Sequence, residues 1–154
     1  MKNRKLYFFT SLGITLISLA LLLSGSSLLT LGLDTADTIP LGTFTTWAGL
    51  MALPATLYFW VKELRDPSGK WYAFLSGVLR LSLLLAILWA PVSYLLAGNM
   101  SFSFSSAVEG FRGSPQAYVW FMRFTNGIVY GALLVLSLYC VTLLWERLTK
   151  KIKR

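Results

Sequence analysis

Two arginines, Arg80 and Arg123, stand inside long stretches that otherwise hold no charge, and Asn126 follows the second by one helical turn. A guanidinium presents a planar fork of donors that grips a phosphate or a carboxylate at two points, so the chemistry these residues offer is recognition of an anion. Acid–base and nucleophilic chemistry has far less to draw on. The chain has no histidine, which removes the commonest general base, the usual haem ligand and most catalytic zinc sites. Cys140 stands alone, and its place among Leu138, Tyr139 and Val141 predicts a packed, inert thiol. Asp34 and Asp37 are close enough in DTADTIP to meet, yet that stretch reads as a helix end and turn with aspartate as a local cap. No catalytic, cofactor-binding or metal-ligating residue is expected, and the chain is not expected to be an enzyme.

The segments that must position these residues are those of a membrane protein. Hydrophobic residues make up 56% of the 154 and charged residues only 13%, against about a quarter charged in soluble domains. Four runs are long enough for the roughly 20 apolar residues that a bilayer core demands. The expected fold is an all-α, four-transmembrane-helix bundle, one domain over 1–154, with spans near 6–31, 44–61, 71–97 and 117–145. The first run exceeds the 7–15 apolar residues typical of a cleaved signal and no A-x-A site follows, so it is expected to stay as a helix.

The charges decide the orientation. Lys2, Arg4, Lys5, Lys62, Arg65, Lys70, Arg147, Lys150, Lys151, Lys153 and Arg154 fall on one side, while Arg112, Asp34, Asp37 and Glu109 fall on the other. Positively charged flanks are retained in the cytoplasm, so both termini are expected there. The short loops and compact plan suit a plasma membrane, bacterial inner membrane above others. The net charge of +8 thus belongs to membrane flanks; no nucleic acid partner is expected.

Helices in lipid associate through close packing, which small residues favour. Gly127 and Gly131 form a GxxxG in the last span; Ser11, Thr15, Ser18, Gly25 and Ser26 form a small stripe in the first, and Ala48, Ala52 and Ala55 another in the second. In the last span Arg123, Asn126, Gly127, Tyr130, Leu134 and Ser137 share one face by their spacing. That face is expected to look into protein, leaving Phe121, Phe124, Ile128 and Val135 for lipid or a partner chain. Pro54 and Pro91 are expected to kink or open their helices.

Arg80 lies about 13 Å along its span and Arg123 about 9 Å along its own, where a charge at the bilayer centre costs roughly 2.5–3.5 kcal/mol. No Asp or Glu lies within a span. Their partners are expected among headgroups reached by snorkelling, carbonyls freed by Pro91, Asn126, the acids Asp34, Asp37 and Glu109, anionic lipid, or another subunit. The leading functional expectation is an accessory or scaffold subunit that packs into and stabilises a larger membrane protein complex. Lipid binding is the first alternative: an anionic lipid or acidic small molecule held or transported by Arg80, Arg123 and Asn126. The gross plan of a small, basic, four-spanning chain is also similar to that of immunity proteins against pore-forming toxins, though only in topology.

Overall fold

A computed structural model of the chain describes residues 3–33, 39–101, 104 and 110–152, with 150–152 described by backbone alone. Lys2, Asp34, Asp37, Glu109, Lys153 and Arg154 lie outside the described residues, as do the ion pairs foreseen with the three loop acids. The elements are α1 (Arg4–Ser24), a 3-10 turn (Ser27–Thr30), α2 (Leu41–Trp60), the single turn α3 (Lys62–Arg65), α4 (Lys70–Ala97) and α5 (Pro115–Ile152).

Local sequence explains most of the boundaries. α1 stops at Gly25, which takes a left-handed φ of 59° that a side chain would resist. Gly25 is therefore a helix stop and not part of a packing stripe, and the first helix ends well short of residue 31. Beyond it, Ser26 turns the chain by accepting the Leu28 N–H at 3.3 Å. Leu33 N–H then donates to Ile39 at 2.9 Å, and Leu41 N–H to Leu31 at 2.8 Å, which closes the connection into α2. α5 begins with proline at its first position, where a missing N–H costs nothing, and Ser114 Oγ caps the Ala117 N–H at 3.2 Å.

α1, α4 and α5 are each long and apolar enough to cross a membrane. α2 has 20 residues, about the same length as α1, but four threonines, two glycines, two tryptophans and Pro54 dilute its aliphatic content. Its position accounts for this composition. α2 packs against α1, α4 and α5, whereas among the described elements α1 packs against α2 and the 3-10 turn alone. Protein shelters α2 on several sides, so shape and hydrogen bonding govern its sequence as much as lipid does.

Successive long helices run antiparallel. Tyr7 at the start of α1 stacks on Phe59 at the end of α2, with ring centroids 5.3 Å apart. Trp71 at the start of α4 donates its indole N–H to Thr142 late in α5 at 3.0 Å. At the other end Thr43 donates to the Met100 carbonyl at 2.5 Å, and Arg112 N–H to the Ala97 carbonyl at 3.0 Å. Arg4, Lys62, Arg65, Lys70 and the C-terminal part of α5 thus share one end of the molecule.

The core fills the space between α2, α4 and α5. Leu50, Trp89, Ala90, Phe121 and Ile128 form one cluster, and Leu57, Leu64, Leu75, Leu79, Ala132 and Val135 the other. Two tryptophans stitch the first cluster together. Trp89 is 1% exposed and donates to Thr125 Oγ1 at 2.8 Å, while Trp47 donates to the Ala86 carbonyl at 3.0 Å. A buried indole N–H without an acceptor would be costly, so these bonds fix the register of α4 against its neighbours.

Ser11, Thr15 and Ser18 of α1 lie on its side toward α2. Ser11 and Ser18 are buried, and Thr15 Oγ1 lies 3.4 Å from Thr56 Oγ1 of α2. A Cβ placed on Gly49 would lie 2.8 Å from Ser18 Cβ, so the two helices meet where neither has bulk.

Candidate functional site

The faces of α5 are the reverse of the expectation. Ile128 and Val135 are fully buried and Phe121 is 6% exposed; Phe124 packs against the same cluster. Arg123, Gly127, Tyr130, Leu134 and Ser137 face outward, Tyr130 at 66% exposure. The buried seam runs Phe121, Thr125, Ile128, Ala132, Val135, Tyr139, alternating steps of four and three as in a knobs-into-holes interface. Polarity gave the wrong side because, in lipid, apolar side chains have no preference between core and surroundings. Complementary shape decides instead.

The reversal separates the two glycines of the GxxxG. A Cβ on Gly131 would come within 2.5 Å of Ser82 Oγ, so Gly131 admits α4. A Cβ on Gly127 would meet nothing within 4 Å, so among the described residues Gly127 admits no neighbouring helix. Four residues advance a helix by about 40° beyond a full turn, enough to put one glycine in the interface and the other on its rim. Cys140 is likewise exposed and not packed.

Around Gly127 the outer face of α5 forms a groove of about 460 Å³ lined by Tyr118, Val119, Met122, Arg123, Asn126, Gly127 and Tyr130. Arg123 lies over the Trp120 ring, 5.6 Å from its centroid. That cation–π contact is its one recorded interaction among the described residues, and it leaves the guanidinium donors open. The groove therefore offers two kinds of polar donor beside a bare backbone and a hydroxyl-bearing ring. A second concavity of about 320 Å³, almost wholly apolar, lies between α1, α2 and α5, with Leu22, Leu50, Val129 and Leu133 among its walls. Thr46 Oγ1 borders it, buried and without a hydrogen-bond partner.

Arg80 joins neither concavity. Its Nη2 donates to the Arg65 backbone carbonyl at 3.2 Å, so the side chain reaches back toward the basic end of the molecule. Arg123 and Asn126 are brought together as expected; Arg80 is not brought to them.

Two further arrangements had only faint signals in the sequence. At the basic end Tyr72 donates to Glu146 Oε1 at 2.9 Å and Tyr139 to Glu63 Oε2 at 3.2 Å, with the rings edge to face at 6.4 Å. These bonds latch α3 and α4 to α5. Arg65 is the second omission. KELRDPSGK reads as a polar turn, yet Leu64 and Val61 are buried in the core and draw the Arg65 side chain down to 13% exposure. The sequence signal was the apolar residue immediately before each basic one, Val61 before Lys62 and Leu64 before Arg65.

Comparison with known protein families, with characterised proteins and with solved structures finds no match for this chain.

Proposed function

We propose that the chain is a non-catalytic, four-spanning accessory subunit that docks into a larger membrane protein complex through the outer face of α5. The observation that carries this reading is the outward placement of Arg123, Gly127 and Tyr130, with half-buried Asn126 beside them, around one groove. An exposed guanidinium with a half-buried carboxamide beside it is expensive against hydrocarbon, while the glycine next to them gives another helix room to approach closely. The partner this chemistry fits is a transmembrane helix with a small residue opposite Gly127 and an aspartate or glutamate within reach of Arg123. Charge complementarity selects it, because the one acid on the long helices, Glu146, sits at the basic end and is engaged by Tyr72.

In this reading α2 is the fourth crossing. Its 20 residues rise about 30 Å, close to the thickness of a bilayer core, and its antiparallel neighbour α1 has 21. The basic end faces the cytoplasm with both termini, and the short connections suit a bacterial inner membrane. The test is gentle solubilisation followed by mass measurement of the intact complex. The native chain should bring a reproducible companion that Gly127→Leu loses while remaining folded. A native chain that runs alone, or a companion retained by Gly127→Leu, contradicts the proposal.

A further inference from the structure

At the basic end a polar cavity of about 420 Å³ is lined by Arg4, Tyr58, Arg65 and Asp66. It draws on α1, α2 and the segment around α3, and its charges do not balance. Asp66 accepts from Arg65 Nε at 3.2 Å but is 68% exposed. The Arg65 Nη1 is buried and has no hydrogen-bond partner. Arg4 and the Tyr58 hydroxyl have no recorded partner among the described residues. Arg80, held on the Arg65 carbonyl, adds a further positive charge beside the cavity.

An unsatisfied buried guanidinium donor is costly, and the nearby acids do not relieve it. Glu63 and Glu146 are engaged by Tyr139 and Tyr72. The orphaned Nη1, the Arg4 guanidinium and the Tyr58 hydroxyl are all donors, so the missing group is an acceptor with several oxygens and negative charge. A carboxylate would satisfy two donors. A phosphate offers oxygens to three directions and accepts the two-point grip of an arginine fork.

We infer that this cavity is a binding site for a phosphate-bearing anion, with Arg65 and Arg4 as the charged donors and Tyr58 as the third. Its place also fits the headgroup of an anionic phospholipid. The end that holds it is the end where Lys62, Lys70 and the tail of α5 gather, and Tyr7, Phe59 and Trp60 form an aromatic rim close by. The inference is independent of the partner helix on α5, which occupies the opposite half of the molecule.

The experiment uses the full chain, stripped of lipid in detergent. It is reconstituted into nanodiscs of phosphatidylcholine alone or of phosphatidylcholine with phosphatidylglycerol, and bound lipid is counted by intact mass. One phosphatidylglycerol should remain on the native chain. Arg65→Gln and Arg4→Gln should each weaken its retention about tenfold or more, the loss expected for a charged hydrogen-bonding donor. Arg4 lies at the outer rim, so Arg4→Gln remains informative should Arg65→Gln fail to fold, and circular dichroism checks both. Arg147→Gln, at the same end but outside the cavity, should retain the lipid as the native chain does.

A parallel arm offers inorganic phosphate to the delipidated chain and follows thermal unfolding. Stabilisation by phosphate that depends on Arg4 and Arg65, without retention of phosphatidylglycerol, identifies a soluble phosphate compound as the source. Retention equal in native, Arg4→Gln and Arg147→Gln chains, or lost equally in Arg4→Gln and Arg147→Gln, overturns the inference, provided phosphate also fails to stabilise.

Discussion

The two glycines of the last helix should respond differently to the same substitution. Alanine at Gly131 puts a methyl group 2.5 Å from Ser82 Oγ, with Ser82 Cβ at 3.7 Å. Ser82 is buried at 4% exposure, and its hydroxyl is tied to the Val78 carbonyl at 3.1 Å, so it cannot simply swing clear. Overpacking of this kind costs about 1–3 kcal/mol, against a gain of up to about 1 kcal/mol for replacing a helical glycine by alanine. Gly131→Ala should therefore be destabilised by roughly 0–2 kcal/mol. Gly127→Ala meets nothing within 4 Å and keeps the whole propensity gain, so the variants should differ by about 1–3 kcal/mol. Reversible unfolding in mixed detergent micelles, read by helicity against denaturing detergent fraction, measures this. Adding Ser82→Ala to Gly131→Ala removes the oxygen and leaves ordinary contact at the Cβ, so most of the loss should return. Equal stability of the two alanine variants, or no recovery with Ser82→Ala, refutes the face assignment of α5.

Other substitutions probe the rest of the bundle. Gly49→Ala places its Cβ 2.8 Å from Ser18 Cβ, which cannot rotate away; about 1–3 kcal/mol of destabilisation is expected. Limited proteolysis should then release α1 first, and Ser18→Gly should restore protection. Trp89→Phe removes the indole donor to Thr125 Oγ1 and leaves space in the core. The same micelle unfolding should show a loss of about 1–3 kcal/mol. Tyr72→Phe and Tyr139→Phe each delete one bond to a glutamate; about 1 kcal/mol each is expected, with faster amide exchange confined to α3, the start of α4 and the end of α5.

Helix ends follow local rules more closely than they follow the apolar runs. Pro115 behind Ser114 marks the start of α5 and Gly98 follows the last residue of α4, whereas the apolar run carried the first span to residue 31 and α1 ends at Ser24. The outcome differed wherever tertiary contact rather than the bilayer was the deciding environment. In α5 the polar face was assigned inward because polar side chains are costly against hydrocarbon. Lipid does not sort Phe121 or Ile128 from the core, so the Ser82–Gly131 fit and the Trp89–Thr125 bond choose the side. Arg65 escaped notice for a related reason. Its local sequence is that of an exposed turn, and only the burial of Leu64 and Val61 beneath it draws the guanidinium into a cavity. Gly25 shows the limit of spacing: it falls on the same face as Ser11 and Ser18 only while the helix continues, and its own left-handed φ ends the helix.

The docking of a partner on the outer face of α5 can be tested by photo-crosslinking in native membranes, with a photoreactive residue placed singly at Met122, Tyr130, Ile128 and Val135. Discrete protein adducts of one size should form from positions 122 and 130, which line the groove, and be absent from 128 and 135, which face this chain's own core. Adducts with lipid alone at 122 and 130 would contradict the account.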